Sequence, residues 1–328
     1  MTTQPADEQP TPAPRLDTVD PRDTKTATAT DSFRIVVLGD IHIYRPTYNP
    51  LRLLSKRLAA QVNQWVNPHR KFHEQLLRPT LAYAATLEPD LVLLTGDLTV
   101  SALPAEFIAV GEAVREAFGG TRALALPGNH DRYTHGSMWA RTMERCLPGW
   151  VPTSFPYVAK LSSSVGLIAL DAAAPNPISA RGKVGRRQLE AVTGQYVWDA
   201  HGGATVLVAC HYPFDVPAGT HHPWGHHLAD ADDVRRHVAQ WAEKVAERVI
   251  YLHGHVHKGW QFEPIPGAPG VLDVNAGAPT RVNDGCPYGQ GFLSIDVPAG
   301  PGGEVAIQRH VRGGGPGDSP AWRSHAVP

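Results

Sequence analysis

The sequence predicts an α/β fold, and three observations support this prediction. Short, continuous apolar runs rich in β-branched residues recur along the chain, as in strands that are covered on both faces. Patterns of helical period fall between several of these runs, at 77–88, 105–118 and 230–247. Each apolar run also stops at polar residues, which places candidate functional groups at strand ends. The predicted strands lie at 34–40, 91–97, 123–129, 165–171, 204–211 and 248–255.

Two late strands close the predicted domain, and both ends of the chain differ from it in composition. The runs at 271–277 and 291–297 have no helix between them, which predicts a closing antiparallel edge. Residues 1–31 are rich in Thr, Pro and Ala without a hydrophobic period, so we expect a disordered tail. Residues 299–328 are rich in Gly and Pro around a short strand-like run, and we expect a second tail. The domain therefore spans 32–298.

The amino-acid composition narrows the classes of function that the chain can have. The chain has 328 residues, 42% of them hydrophobic, which suffices for one catalytic domain. Its 30 Lys and Arg balance 31 Asp and Glu, so no global charge favours a stable nucleic-acid partner. With 17 His against 3 Cys, hydrolytic metals fit better than structural zinc, and the few cysteines suit a reducing compartment. No apolar run resembles a secretory signal or a membrane span, so we expect a soluble cytoplasmic protein.

The polar strand endings carry the chemistry. Taken singly, a Gly-Asp pair predicts a turn, and a lone histidine predicts a satisfied core residue. Five such blocks in one chain instead predict nitrogen and oxygen ligands that converge at one sheet edge, in numbers sufficient for two divalent cations. Residues two apart, as in GDIH and GHVH, would share a side of an extended segment, so that both point at one centre. The blocks contain Asp40 and His42; Asp97; Asn129, His130 and Asp131; His211; and His255 and His257.

With all five blocks present, the chain resembles the calcineurin-like metallophosphoesterases across about residues 33–297. The resemblance implies a four-layer α-β-β-α sandwich, in which two mixed sheets are flanked by helices. It also implies that Asp97 bridges two metal ions, with one ligand set for each. The first set is Asp40, His42 and His257, and the second is Asn129, His211 and His255.

The GNHD block would combine several roles. Asn129 supplies a neutral oxygen that adds no charge against a phosphate. We expect His130 to protonate the leaving group, and Asp131 to fix its tautomer and raise its pKa. Two cations can share a hydroxide and clamp a phosphoryl group for in-line attack. Without thiolate ligands the set suits Mn, Fe, Zn or Co.

An insertion at 44–78 bears on the substrate. Its apolar residues follow helical spacing and its basic residues far outnumber its acids. It is either a surface helix packed on the core, or a lid that receives an anionic or amphipathic substrate and makes peripheral membrane contact. The apolar residues are Leu51, Leu54, Leu58, Val62, Trp65 and Val66, and the basic ones include Arg52, Lys56, Arg57, Arg70, Lys71 and Arg78.

The sequence thus predicts a dinuclear metal-dependent phosphoesterase that hydrolyses a phosphodiester, phosphomonoester or pyrophosphate bond. The segment ARGKVGRRQLEAV at 180–192 is similar to one in cyclic-nucleotide phosphodiesterase-like members, although it also fits a turn opening a surface helix. The basic insertion favours the alternative, a pyrophosphohydrolase of the UDP-2,3-diacylglucosamine type. A catalytically silent scaffold for protein binding, as in the retromer subunit, would show eroded ligand blocks, and these are intact.

Overall fold

Two six-stranded mixed sheets form the centre of the molecule in the computed structural model, which describes residues 32–66, 72–176, 179–192, 205–222, 224–244, 248–265, 270–282, 291–299, 302–313 and 321–326. The strands are β1 Phe33–Leu38, β2 Leu91–Leu94, β3 Arg122–Ala125, β4 Tyr157–Lys160, β5 Val165–Ala169, β6 Thr205–Ala209, β7 Arg248–His253, β8 Trp260–Phe262, β9 Val271–Asn275, β10 Phe292–Val297, β11 Ala306–Gly313 and β12 Ala321–Ala326. The first sheet has the order β12-β11-β10-β1-β2-β3, and the second has the order β4-β5-β6-β7-β9-β8.

The helices lie between strands, as the sequence pattern predicts. Those predicted at 77–88, 105–118 and 230–247 are observed as α3, α4 and α8, each within a few residues at its N-terminus. The described helices are α1 Pro50–Leu53, α2 Lys56–Val66, α3 Leu77–Ala85, α4 Pro104–Phe118, α5 His135–Trp139, α6 Thr142–Cys146, α7 Arg186–Ala191 and α8 Ala231–Lys244, with a 3-10 turn at Glu74–Leu76. No helix in these described ranges is both long and apolar enough to cross a lipid bilayer.

Three apolar cores separate four layers, which confirms the predicted α-β-β-α sandwich. Helices α3 and α4 cover the outer face of the first sheet, in a core that includes Val36 and Phe107. Helices α7 and α8 cover the second sheet, in a core that includes Val206 and Trp241. The third core lies between the sheets and includes Ile35. Neighbouring residues of β1 thus enter different cores, as expected for a strand buried on both faces.

Two expectations about the end of the chain need correction. Strands β9 and β10 do not close a common edge, because β9 runs parallel to β7 in the second sheet while β10 lies between β1 and β11 in the first. The segment 299–328 is not a loose tail throughout, since β11 and β12 extend the first sheet by antiparallel pairing. Backbone hydrogen bonds from β11 to β10, and from β12 to β11, offset the entropy cost of ordering this Gly- and Pro-rich segment, a cost for which the composition showed no compensation. The tail predicted at 1–31 lies outside the described residues.

The insertion forms α1 and α2, and its apolar residues have the predicted helical spacing. The apolar side is turned away from the core, whereas a surface helix packed on the core would turn it inward. Its apolar side chains face solvent, with Leu54 83% and Trp65 58% exposed. Two of its polar side chains face the protein instead: the Gln61 side chain accepts from the backbone of Thr47, and Arg57 donates to the Ser101 carbonyl. The apolar face of α1 and α2 therefore has no cover within the described part of the chain.

Candidate metal centre

The predicted ligand blocks meet where parallel strands of both sheets end. Strands β1, β2 and β3 run parallel in the first sheet, as do β6 and β7 in the second, so their C-terminal loops emerge at the same side. The loops then bond directly: the His42 N–H donates to the Asp97 carbonyl at 3.0 Å, and the Gly254 N–H donates to the His211 carbonyl at 3.1 Å. The two sheets are joined at this point by the His255 N–H, which donates to Asp40 Oδ1 at 3.1 Å.

Four side chains form a first cluster in which the candidate ligand atoms all lie within 4.8 Å of one another: Asp40, His42, Asp97 and His257. His42 Nε2 lies 3.5 Å from Asp97 Oδ2 and 3.2 Å from His257 Nε2. His257 Nε2 in turn lies 3.5 Å from Asp40 Oδ1. Two carboxylates and two imidazoles thus face a common point.

A second cluster shares Asp97 with the first and adds His211 and His255. His211 Nε2 lies 3.4 Å from Asp97 Oδ2, the same oxygen that faces His42. The loop carrying Asn129 is tied to this point, because the His130 N–H donates to Asp97 Oδ1 at 2.8 Å. Asp97 is therefore the one carboxylate that belongs to both clusters among the described residues.

Hydrogen bonds to carbonyl groups decide which imidazole nitrogen is available in the second cluster. His211 Nδ1 lies 2.9 Å from the Thr95 carbonyl and donates to it, which leaves Nε2 as the nitrogen that faces Asp97 Oδ2. His255 is held the other way round, since its Nε2 donates to the His226 carbonyl at 2.6 Å and leaves Nδ1 free. Carbonyls that orient histidines in this way are usual behind metal ligands.

Unpaired buried atoms fit the requirements of a cation. Asp40 Oδ2, Asn129 Oδ1 and His211 Nε2 are buried without a hydrogen-bond partner in the described structure. Leaving such an atom unsatisfied costs about 1–3 kcal/mol, and all three atoms are at predicted ligand positions. Two oxygens and an imidazole nitrogen are donors that a divalent transition metal accepts, so the residues present fit such ions.

The electrostatics of the clusters also suit cations. Burial lowers the pKa of His42, His255 and His257 well below the usual value, so these rings are neutral, the form that binds a metal. Burial raises the pKa of Asp40 well above the usual value. Burial opposes charge on Asp97 as well, but the histidines around it, His211 first, hold its pKa well below the ordinary range.

The backbone is left-handed at five of the predicted ligands. Non-glycine residues rarely adopt this conformation, and each instance costs about 1–3 kcal/mol. Such strain is typical of functional sites, where surrounding structure holds it in place. The residues and their φ angles are Asp40 at 51°, His42 at 52°, Asp97 at 52°, His255 at 69° and His257 at 59°.

The left-handed backbone overturns the expectation that paired ligands share one side of an extended segment. His255 and His257 lie in different clusters, as the resemblance implies, and the two clusters share Asp97, so both histidines still face one paired centre. Both residues follow the end of β7 and both have positive φ, so they are not part of an extended segment. Asp40 and His42 meet in one cluster, and they too lie beyond the end of their strand. Alternation along an extended chain does not apply to these loops.

Asp131 has a different position from the one expected. Its carboxylate accepts from the backbone of Leu98, Thr99 and Gly128 and from the Thr99 hydroxyl, and it has no contact with the His130 ring. The His130 ring is instead oriented by the Val100 carbonyl, which lies 2.7 Å from Nδ1. Asp131 therefore fixes the loop rather than the imidazole, because four donors occupy its oxygens.

Three residues near the centre were not predicted. Tyr133 stacks on His130 with ring centroids 5.5 Å apart, and Phe72 packs on His42 at 4.0 Å. Arg281 Nη1 lies 2.7 Å from His257 Nδ1. The position of Tyr133, three residues after His130, was a usable signal, whereas Phe72 and Arg281 arrive from distant parts of the chain.

Comparisons with known proteins agree with this geometry. The family model for calcineurin-like phosphoesterases matches residues 33–259. No curated protein matched the chain. Among solved structures, a dimetal phosphatase from Danio rerio is similar with a TM-score of 0.54 and 13% identity, over 84% of this chain and 95% of the other. Purple acid phosphatase PPD1 from yellow lupin seeds is similar with a TM-score of 0.50 and 14% identity, over 85% of this chain and 51% of the other. At these identities the two likenesses establish the fold alone.

Proposed function

The chain belongs to the calcineurin-like phosphoesterase family, and from that premise we propose how its own residues act as a metal-dependent phosphoester hydrolase. Asp40, His42 and His257 would hold one divalent metal ion, and Asn129, His211 and His255 would hold a second. Asp97, which belongs to both clusters, would be a ligand common to the two ions. The ions are Mn, Fe, Zn or Co, since the donors are imidazole, carboxylate and amide.

The observation that supports the proposal most directly is that one oxygen, Asp97 Oδ2, lies close to a histidine of each cluster. This oxygen lies 3.5 Å from His42 Nε2 and 3.4 Å from His211 Nε2, so it is the common member of both clusters. Bound ions supply positive charge that stabilises a phosphoryl group and activates water. A carboxylate common to two neighbouring sites is the feature expected of a paired centre rather than of two independent ones.

His130 supplies the proton for the leaving group. Its Nδ1 donates to the Val100 carbonyl, so Nε2 is the nitrogen that can hold and release a proton. The ring lies beside the first cluster, with its centroid 4.8 Å from that of His42. Because Tyr133 stacks on its face, the ring keeps a fixed plane while the proton moves.

Metal analysis combined with a hydrolysis screen tests the proposal. We expect close to two transition-metal ions per chain after metal-replete expression, together with hydrolysis of chromogenic phosphodiesters or monoesters. His211→Ala should lose metal and activity, whereas His237→Ala, at a partly exposed histidine of α8 outside both clusters, should keep both. A protein that binds no metal and hydrolyses none of these substrates would contradict the assignment.

A specific observation favours an amphipathic substrate over a small cyclic nucleotide. The apolar face of α1 and α2 is exposed while its polar face is packed inward, and Lys56 of α2 lies over the ring of Tyr133 near the centre. An anionic substrate with an apolar portion, such as a nucleotide-lipid pyrophosphate, would contact both regions. The segment at 180–192 gives little support to the cyclic-nucleotide alternative, because its Gln188 side chain bonds the Asp171 and Val184 carbonyls in a packing role.

The exposed face also makes peripheral contact with a membrane in this proposal. Exposed Leu and Trp side chains beside basic residues are typical of helices that lie in a bilayer interface. The variant Leu54→Ser/Trp65→Ser should bind anionic phospholipid vesicles less than the wild type in a sedimentation assay. Ile108→Ser removes an exposed apolar residue from α4 and is the control. Equal vesicle binding by all three proteins would refute the contact.

A further inference from the structure

Lys56 is a cation held at the edge of the proposed active site. Its Nζ lies 4.0 Å from the centroid of the Tyr133 ring and donates to the Asn176 carbonyl at 3.1 Å. Tyr133 in turn stacks on His130. The amine is thereby placed on the His130 side of the centre by two contacts with different segments.

The charge of Lys56 has no carboxylate partner among the described residues. Arg45, in the same insertion, differs in this respect, since it forms a two-pronged ion pair with Glu74. Lys56 is half-buried, and burial and then the charge of Arg57 lower its pKa to about 8, while Asp97 opposes the shift. The amine is thus mainly protonated at neutral pH, and holding an unpaired, partly desolvated cation is unfavourable unless an anion arrives.

We infer that Lys56 determines specificity by binding an anionic group carried on the leaving group of the substrate. The inference rests on the proposed function, in which bound metal ions would supply the positive charge that the scissile phosphoryl group requires, and His130 protonates the departing oxygen. A leaving group that is itself charged, such as a second phosphate, then needs a separate cation on the His130 side. Lys56 is the side chain whose position and charge meet that need.

Two methyl phosphodiesters that differ by one carboxylate on their nitrophenol leaving group test the inference. Lys56→Met keeps the apolar stem and removes the charge, and Lys56→Arg restores a cation. In Lys56→Met we expect kcat/KM for the carboxylated diester to fall about 10- to 100-fold further than for the uncharged diester, the range of a lost hydrogen bond to a charged group. Lys56→Arg should recover most of this preference. Arg52→Gln, which removes a solvent-exposed charge from α1, should leave the ratio unchanged.

The outcomes separate this inference from the proposed function. If Lys56→Met lowers turnover of both diesters equally, or of neither, Lys56 has only the structural role of anchoring α2 on Tyr133 and the inference is wrong. Metal content and circular dichroism of each variant show whether the fold is retained. A metal-loaded wild-type protein that hydrolyses neither diester would refute the phosphoesterase proposal itself, and the inference with it.

Discussion

Gly128, the residue before Asn129, is the position where the smallest substitution should have the largest effect on the proposed centre. A Cβ atom added there would lie 2.2 Å from Asp97 Oδ1 and 2.3 Å from the Asp97 amide nitrogen. Ordinary contact begins near 3.4 Å, so Gly128→Ala must displace the GNHD loop from Asp97 by about 1 Å, the scale of misplacement that costs about 100-fold in rate. Backbone lies on one side of the clash, so no side-chain rotation relieves it.

The displacement moves both the proposed bridge and the proposed ligand Asn129. We expect turnover of a chromogenic diester to fall about 100-fold or more, with less than the full metal content. Overpacking of this kind costs about 1–3 kcal/mol of stability, and each kcal/mol lowers Tm by roughly 2–4 °C in a large domain. The fold should therefore survive while the centre is impaired.

Purified Gly128→Ala is compared with the wild type by metal analysis, thermal unfolding and steady-state hydrolysis. Gly120→Ala is the matched control, because a Cβ there has no neighbour within 4 Å and the backbone is not left-handed. Full metal content and unchanged turnover in Gly128→Ala would show that the close packing of Asp97 against the GNHD loop does not hold the centre together.

Two other substitutions and one change of pH test the roles of His130, Asp131 and Lys56 separately. His130→Gln should keep the metal content and lower turnover about 10²–10⁴-fold, because a proton donor is lost; unchanged turnover would remove its role. Asp131→Asn replaces one carboxylate oxygen by an NH2 group that faces two of the four donors, and it should destabilise the fold by about 1–3 kcal/mol in thermal unfolding; an effect on turnover alone would instead support the expected role of Asp131 in orienting His130. A lysine is charged below its pKa, so as pH rises through about 8 the preference for the carboxylated diester should decline in the wild type. The same decline in Lys56→Arg, whose charge persists, would assign it to another group.

Much of the centre could be predicted from the sequence because parallel strands bring their C-terminal ends to one edge. Every ligand block follows an apolar run, and β1, β2, β3, β6 and β7 are all parallel to a neighbour. The left-handed backbone at His255 and His257 could not be predicted this way, because a loop beyond the end of a strand does not continue the alternation of the strand. Both residues are histidines, a type that adopts this conformation more often than most but does not require it, so the packing of the loops has to hold it.

The orientation of α2 and the partner of Asp131 depend on contacts between distant segments. A helix with an apolar stripe is normally packed through that stripe, but here Gln61 and Arg57 find backbone partners that satisfy the polar face instead. Asp131 likewise finds four donors, three of them from residues about thirty positions earlier. A local sequence pattern predicts how apolar one face of a helix is. It does not predict which polar groups in distant segments will need a hydrogen-bond partner.

Close packing between ligand blocks explains why glycines occur in them, whereas a single turn does not. A Cβ at Gly254, before His255, would lie 2.7 Å from Asp40 Oδ2, and one at Gly128 would reach Asp97. Neither glycine has a positive φ, and in the GHVH block it is the histidines that are left-handed. The glycine therefore makes room for the carboxylate of another block. In these two ligand blocks the glycine thus requires that the carboxylate of a second block lies against it, which a turn considered singly does not explain.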